Sequence, residues 1–403
     1  MYYGKRASRN YYWGCSTGGR QGMVSAQRFP YDFEGIIVGA PPWNQTGDRA
    51  LFLNWNARVN IGKDGKPIMD ASKLAVIHKA VLEACDALDG LKDGILQDPR
   101  QCKWDPSEIH CKSGASGQDC LTAEEADVVR KIYQGATNSK GARLFWGMPR
   151  GSEDQWAPGL INSNGKPGTF LGDPGAIGDS SLNYFAFSYS PGPSYSNMEF
   201  DYDRDPRRLA LTEWIFNAQN PDLRKFKAAG GKLILYHGWN DNNIPAEATI
   251  DYYETTTRTM GGEESTKDFF RLFMPPAMNH CRYGFGGGEV DWLTYLENWV
   301  EKRQSPDYVI AHHMIKEPYR WRERPLCESW PEQYVLMPRH PLDPSLYDRA
   351  RPVYAYPDVA RWSGKGDPKQ ASSWGKAPRQ TPRWGQASLR NATCNCARSR
   401  SDD

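Results

Sequence analysis

Tyr11-Tyr12-Trp13-Gly14-Cys15-Ser16-Thr17-Gly18-Gly19-Arg20-Gln21 is an aromatic run that enters Gly-x-Ser-x-Gly and leaves it as a helical pattern. A strand that turns sharply into a helix holds the serine in a strained, exposed conformation and leaves no room for neighbouring side chains. Gly14 and Gly18 meet that demand. The expected helix, residues 19–28, aims its N-terminal amides at the serine, and the backbone N–H of Thr17 is placed to donate to an oxyanion. The same five-residue pattern also occurs in ordinary turns, so its meaning depends on what surrounds it.

Working outward, residues 33–41 (Phe33-Glu34-Gly35-Ile36-Ile37-Val38-Gly39-Ala40-Pro41) read as a second short, buried strand. The order strand, elbow, helix, strand is that of an α/β-hydrolase. On these residues, together with Gly14 to Gln21 followed by Ala26-Gln27-Arg28-Phe29-Pro30, the chain resembles the tannase and feruloyl esterase family. The resemblance implies an α/β-hydrolase sheet carrying a large inserted lid domain. It also implies a serine carboxylic ester hydrolase acting on esters of hydroxylated aromatic acids such as gallate or ferulate.

The 403 residues suffice for a large core and two domains. With 50 basic against 48 acidic residues the net charge is only +2, which gives no case for a nucleic-acid partner. No apolar run approaches the roughly 20 residues of a membrane span. Nine cysteines, several in close pairs, point to an oxidising compartment, secreted or periplasmic. The start Met1-Tyr2-Tyr3-Gly4-Lys5 carries no signal-peptide core, and one strand precedes the serine where this fold has several. The chain is therefore expected to begin in mid-domain, with β-sheet partners and a second oxyanion donor missing.

From Trp43 the pattern leaves the sheet and returns only at Lys232-Leu233-Ile234-Leu235-Tyr236-His237. The expected division is a first hydrolase part over residues 1–42, a lid over 43–218, a second hydrolase part over 219–365 and an irregular tail over 366–403. Within the lid, a helix is expected from about Ala71 to Ala87, and Thr122-x-x-Glu125 is a capping box opening another. Between them lie Asp86, Asp89 and Asp93, with glycines among them. Clustered carboxylates read either as a solvated acidic turn or as a hard-cation site completed by the carbonyls of Leu91 and Ile95. The family resemblance implies a structural Ca²⁺ in a lid loop of this kind. Cys85 and Cys102 bracket the loop, and Cys111 and Cys120 would close a smaller one beside it.

Asp241, in Gly238-Trp239-Asn240-Asp241, falls where the returning strand ends and is the expected acid; Asp222 and Asp251 are rivals placed before the strand and inside a helix. Phe269-Phe270-Arg271-Leu272-Phe273-Met274 is a further strand, followed by a loop carrying His280. Of the seven histidines His280 alone completes the order Ser16, Asp241, His280 at strand ends, whereas His237 reads as a strand residue. Cys15 precedes the serine and Cys281 follows the histidine, so a disulfide between them could lock nucleophile to base; the alternative is a pair of buried thiols. The resemblance implies the bonded form. The expected partner is a small aromatic ester. The competing expectations are a related hydrolase or acyltransferase acting on other esters, and no enzyme at all, either a truncated, inactive family member or a calcium-bound binding module.

Overall fold

The computed structural model describes residues 4–5, 7–112, 117–157, 160–161, 181–315 and 344–377. Four parallel strands form the central sheet in the order β1 (Tyr11–Cys15), β2 (Gly35–Gly39), β3 (Lys232–Tyr236), β4 (Phe270–Phe273). Parallel strands covered on both faces need apolar residues at successive positions. Gly-Ile-Ile-Val-Gly of β2 is buried throughout. Because successive side chains alternate, Ile36, Val38, Leu233 and Leu235 turn to one face and meet Met23 and Ala26 of the helix Thr17–Arg28. Ile37, Ile234, Tyr236 and Phe273 turn to the other and meet Trp292, Leu296 and Trp299 of the helix Trp292–Lys302. Tyr236 stacks on Trp292 with ring centroids 4.4 Å apart.

Among the described residues, the stretch between β2 and β3 contributes no strand to this sheet. Its helices include Leu74–Cys85 and Ala123–Gln134. The second opens on the expected capping box, Thr122 Oγ1 accepting from Glu125 N–H at 3.2 Å while Glu125 Oε2 accepts from Thr122 N–H at 2.8 Å. The first is shorter than expected: a 3₁₀ turn over Ala71–Lys73, N-capped by Asp70, leads into it. The two ends of the excursion meet, since Ala218 N–H donates to the Trp43 carbonyl at 2.7 Å. Asn217 ties the same junction from its side chain, through Thr46 N–H at 3.1 Å and Asn44 Oδ1 at 2.8 Å. Apolar residues of the excursion and of one sheet face form a continuous core.

Sequence signals fade after residue 303, but the chain there forms an antiparallel pair, β5 (Tyr308–Met314) with β6 (Tyr347–Tyr354). Within the segment expected as an irregular tail from residue 366, residues 374–376 form a strand. β7 (Ala360–Trp362) pairs with β8 (Trp374–Lys376) because Trp374 is buried and Arg351 lies 4.3 Å over its ring. Residues 378–403, with Cys394 and Cys396, and Cys327 earlier lie outside the described residues. Among the described residues, no helix is long and apolar enough to cross a membrane.

All three expected cysteine pairs are bonded: Cys15–Cys281, Cys85–Cys102 and Cys111–Cys120. Cys15–Cys281 joins residues 266 apart in sequence, and closing so long a loop removes much freedom from the unfolded chain. Replacing both cysteines by serine is expected to cost on the order of 2–4 kcal/mol in urea unfolding. Peptide mapping without reduction should recover the two half-cystines on one cross-linked peptide.

Candidate active site

The C-terminal ends of parallel strands all open onto one edge, and in open α/β sheets that edge is where ligands sit. Ser16 follows β1 directly, with φ of 60° and ψ of −127°. No L-residue adopts that geometry without strain. The surrounding packing enforces it. A Cβ on Gly14 would lie 2.5 Å from the backbone of Gly18, and one on Gly19 would lie 2.4 Å from the Gly39 carbonyl oxygen. Ser16 N–H donates to that same carbonyl at 2.9 Å. Its hydroxyl does not cap the helix that follows. Thr17 is the first residue of that helix, where an N–H has no intrahelical acceptor and is free to meet an anion.

Asp241 lies just beyond β3 and His280 beyond β4. Their loops are packed backbone to backbone: Asn240 N–H donates to the Met278 carbonyl at 2.9 Å, and a Cβ on Gly238 would sit 2.2 Å from that oxygen. The His280 loop turns through three non-glycine residues with positive φ, Ala277, Cys281 and Tyr283. His280 Nδ1 is 2.7 Å from Asp241 Oδ2. Asp241 Oδ1 accepts from Asn243 N–H at 2.8 Å and from Ile244 N–H at 3.1 Å. Burial works against the charge of Asp241, but the facing His280 and the hydrogen bonds from His237 and His280 outweigh it and hold the carboxyl well below its usual range.

The Cys15–Cys281 bond, with Cα atoms 5.9 Å apart, fixes the residue before Ser16 beside the residue after His280. No hydrogen bond joins His280 Nε2 to Ser16 Oγ in this structure, a contact that commonly tightens only around substrate. The rival carboxylates lie elsewhere: Asp222 is paired with Arg224, and Asp251 sits within the helix Ala246–Thr259.

Two residues of this neighbourhood escaped the sequence reading. His237 stands one position beyond the end of β3, not inside it, and its Nε2 is 3.0 Å from Asp241 Oδ2. Asp48 opens a π-helix over Asp48–Leu53, a form often found at functional positions. It is buried, its Oδ1 has no hydrogen-bond partner, and Arg49 Nε is 3.9 Å from Oδ2. Burial, with Asp241 adding repulsion against the attraction of Arg49 and His280, pushes its carboxyl up to about 7. The His237-x-x-x-Asp241 spacing just past a strand was a readable signal; Asp48 left none.

In the acidic loop Asp86 accepts from the amides of Gly94 and Ile95, Asp89 Oδ1 accepts from Leu91 N–H at 3.0 Å, and Asp93 is paired with Arg351. Among the described residues no three His, Cys, Asp or Glu side chains converge as a ready metal cluster. Two buried oxygens, Asp89 Oδ2 and Asp93 Oδ1, nevertheless lack any partner and fit a hard cation.

A strained serine on an elbow, a histidine and a buried aspartate, each just past the end of a parallel strand, define the α/β-hydrolase class. A sequence model described as tannase and feruloyl esterase matches residues 1–377, and the chain belongs to that family. It is 32% identical to the mono(2-hydroxyethyl) terephthalate hydrolase of Piscinibacter sakaiensis, over 91% of this chain and 63% of that protein. The crystal structure of an esterase from Aspergillus oryzae superposes with a TM-score of 0.75 at 26% identity, covering 92% of this chain and 69% of that one. Feruloyl esterase B from Aspergillus oryzae shares the fold, with a TM-score of 0.76 at 24% identity over 92% of this chain and 69% of that one. The chain spans about three fifths of the length of the curated relatives it matches.

The raised carboxyl of Asp48 carries a signed consequence. A folded chain that keeps this proton up to about pH 7 is favoured by it below the ordinary carboxylate range, and loses that advantage as pH rises through about 7. Asp48→Asn should therefore melt a few degrees above the parent near pH 8 and within a degree or so of it near pH 4, by calorimetry at both pH values.

Proposed function

We propose that the protein is a serine carboxylic ester hydrolase that cleaves esters of aromatic acids, hydroxylated ones such as ferulate and gallate foremost, through an acyl-enzyme. The observation that carries this reading is the Asp241–His280 hydrogen bond of 2.7 Å beside a strained serine held to the same loop by Cys15–Cys281. In the proposed reaction Ser16 Oγ attacks the ester carbonyl while its proton passes to His280 Nε2. Asp241 stabilises the imidazolium at Nδ1, and Thr17 N–H receives the oxyanion. Collapse expels the alcohol, which takes the proton from Nε2. Water then repeats the sequence on the acyl-enzyme and releases the acid. The family, described as tannase and feruloyl esterase, and the terephthalate monoester hydrolase among the relatives support an aromatic acyl group.

A panel of methyl ferulate, methyl gallate, mono(2-hydroxyethyl) terephthalate and a short aliphatic ester tests the reading. The aromatic esters should be preferred, and Ser16→Ala should lower their turnover by roughly 10³-fold or more. Undiminished hydrolysis in that variant would remove Ser16 as nucleophile.

Residues 86–95 are proposed to hold a structural Ca²⁺, with Asp86, Asp89 and Asp93 as carboxylate ligands and the carbonyls of Leu91 and Ile95 beside them, Asp86 also bracing the loop through the amides of Gly94 and Ile95. The two partnerless buried oxygens support this. The cation would neutralise the loop without entering the chemistry. Calcium should raise the melting temperature and a chelator lower it, with coincident curves removing the claim. An oxidising location, periplasmic or extracellular, belongs to the same proposal, supported by the three disulfides.

A further inference from the structure

β3 delivers two ionisable side chains to the cleft. His237 and Asp241 stand four residues apart just past its end, and both are fully buried. His237 Nε2 lies 3.1 Å from the Ile244 carbonyl oxygen as well as 3.0 Å from Asp241 Oδ2. A carbonyl oxygen can only accept, so Nε2 carries the proton. In the neutral ring Nδ1 is then an acceptor, and Thr249 Oγ1, 2.7 Å away, donates to it. Thr249 is itself buried, in the helix Ala246–Thr259. Thus two partners that do not titrate fix the tautomer.

The Nε2–H is shared between Ile244 O and Asp241 Oδ2, the oxygen that also receives His280 Nδ1–H. Oδ1 is pinned by two backbone amides, Asn243 and Ile244. A histidine serving only as core filling would be satisfied by Thr249 and Ile244 alone. Its reach to Oδ2 does something more: it stops the carboxylate from turning about its Oδ1 contacts.

We infer that His237 is a positioning residue, whose Nε2–H holds Asp241 Oδ2 in line with His280 Nδ1 so that the acid–base pair is aligned before substrate arrives. The inference rests on the hydrolase reading above. His237 touches no reacting atom and acts through Asp241.

Steady-state kinetics of the 403-residue chain on the best ester of the panel, with proton NMR of the same samples, tests it. His237→Leu should lower kcat by about 10-fold or more with KM unchanged. His237→Gln, whose amide offers a donor to Oδ2, should recover most of that loss. In an Asp241→Asn background His237→Leu should cost nothing further. The low-field His280 Nδ1–H resonance, which needs no turnover, should move or broaden in His237→Leu and return in His237→Gln. If His237→Leu fails to fold, Thr249→Val leaves the imidazole in place but releases its tautomer, and should show a smaller fall in kcat with the same resonance disturbed. A fully additive loss in the Asp241→Asn background, or an unmoved resonance in a folded His237→Leu or Thr249→Val variant, overturns the inference. Failure of Ser16→Ala to abolish hydrolysis would instead strike the hydrolase reading, leaving the resonance to report on the His237–Asp241 contact alone.

Discussion

A negative charge cut off from water is tolerated only when every lone pair it presents is met. Asp241 is such a charge, and its donors come from three places: the turn that follows it, the end of its own strand, and the loop beyond the neighbouring strand. Its burial therefore demands that the loops after β3 and β4 be joined. Gly238 makes room for the Met278 carbonyl, and Asn240 N–H bonds to it. The geometry that suits an acid–base pair is thus the geometry that keeps a buried carboxylate affordable.

The long excursion between β2 and β3 is held to this same edge. Its ends are stitched at Trp43 and Ala218, and Asn240 and Asn242, on either side of Asp241, donate to the carbonyls of Gly151 and Gln155. Because its apolar residues share a core with one face of the sheet, the excursion is packed into the hydrolase sheet and not merely tethered to it. The opposite face is closed independently by Trp292, Leu296 and Trp299.

The strands were legible because each is a short apolar run in a sheet covered on both sides, and such runs stand out against polar loops. That sufficed to place Ser16, Asp241 and His280 at strand ends. The remainder of the site depends on contacts without periodicity. His237 joins Asp241 by a turn whose hydrogen bonds, not its residue types, bring the ring round to Oδ2. The π-helix at Asp48 is a change of hydrogen-bond register, invisible in side-chain spacing. β5 finds its partner in β6 across an interval of more than thirty residues, so local sequence carries little of that pairing. The pairing of β7 with β8 has a similar origin, since a basic, glycine-rich composition concealed the role of Trp374, over whose ring Arg351 lies.

Cys15–Cys281 closes a covalent ring that runs from the end of β1 through β2, β3 and β4, with the excursion as most of its circumference and Ser16 and His280 beside its clasp. A single cut by a protease anywhere on that circumference opens the ring without dividing the molecule. The two pieces remain one covalent object, with Ser16 on one and His280 on the other still held at the same separation. The surface loops of the excursion are thereby free to be long, since a nick in them does not part the two halves of the cleft.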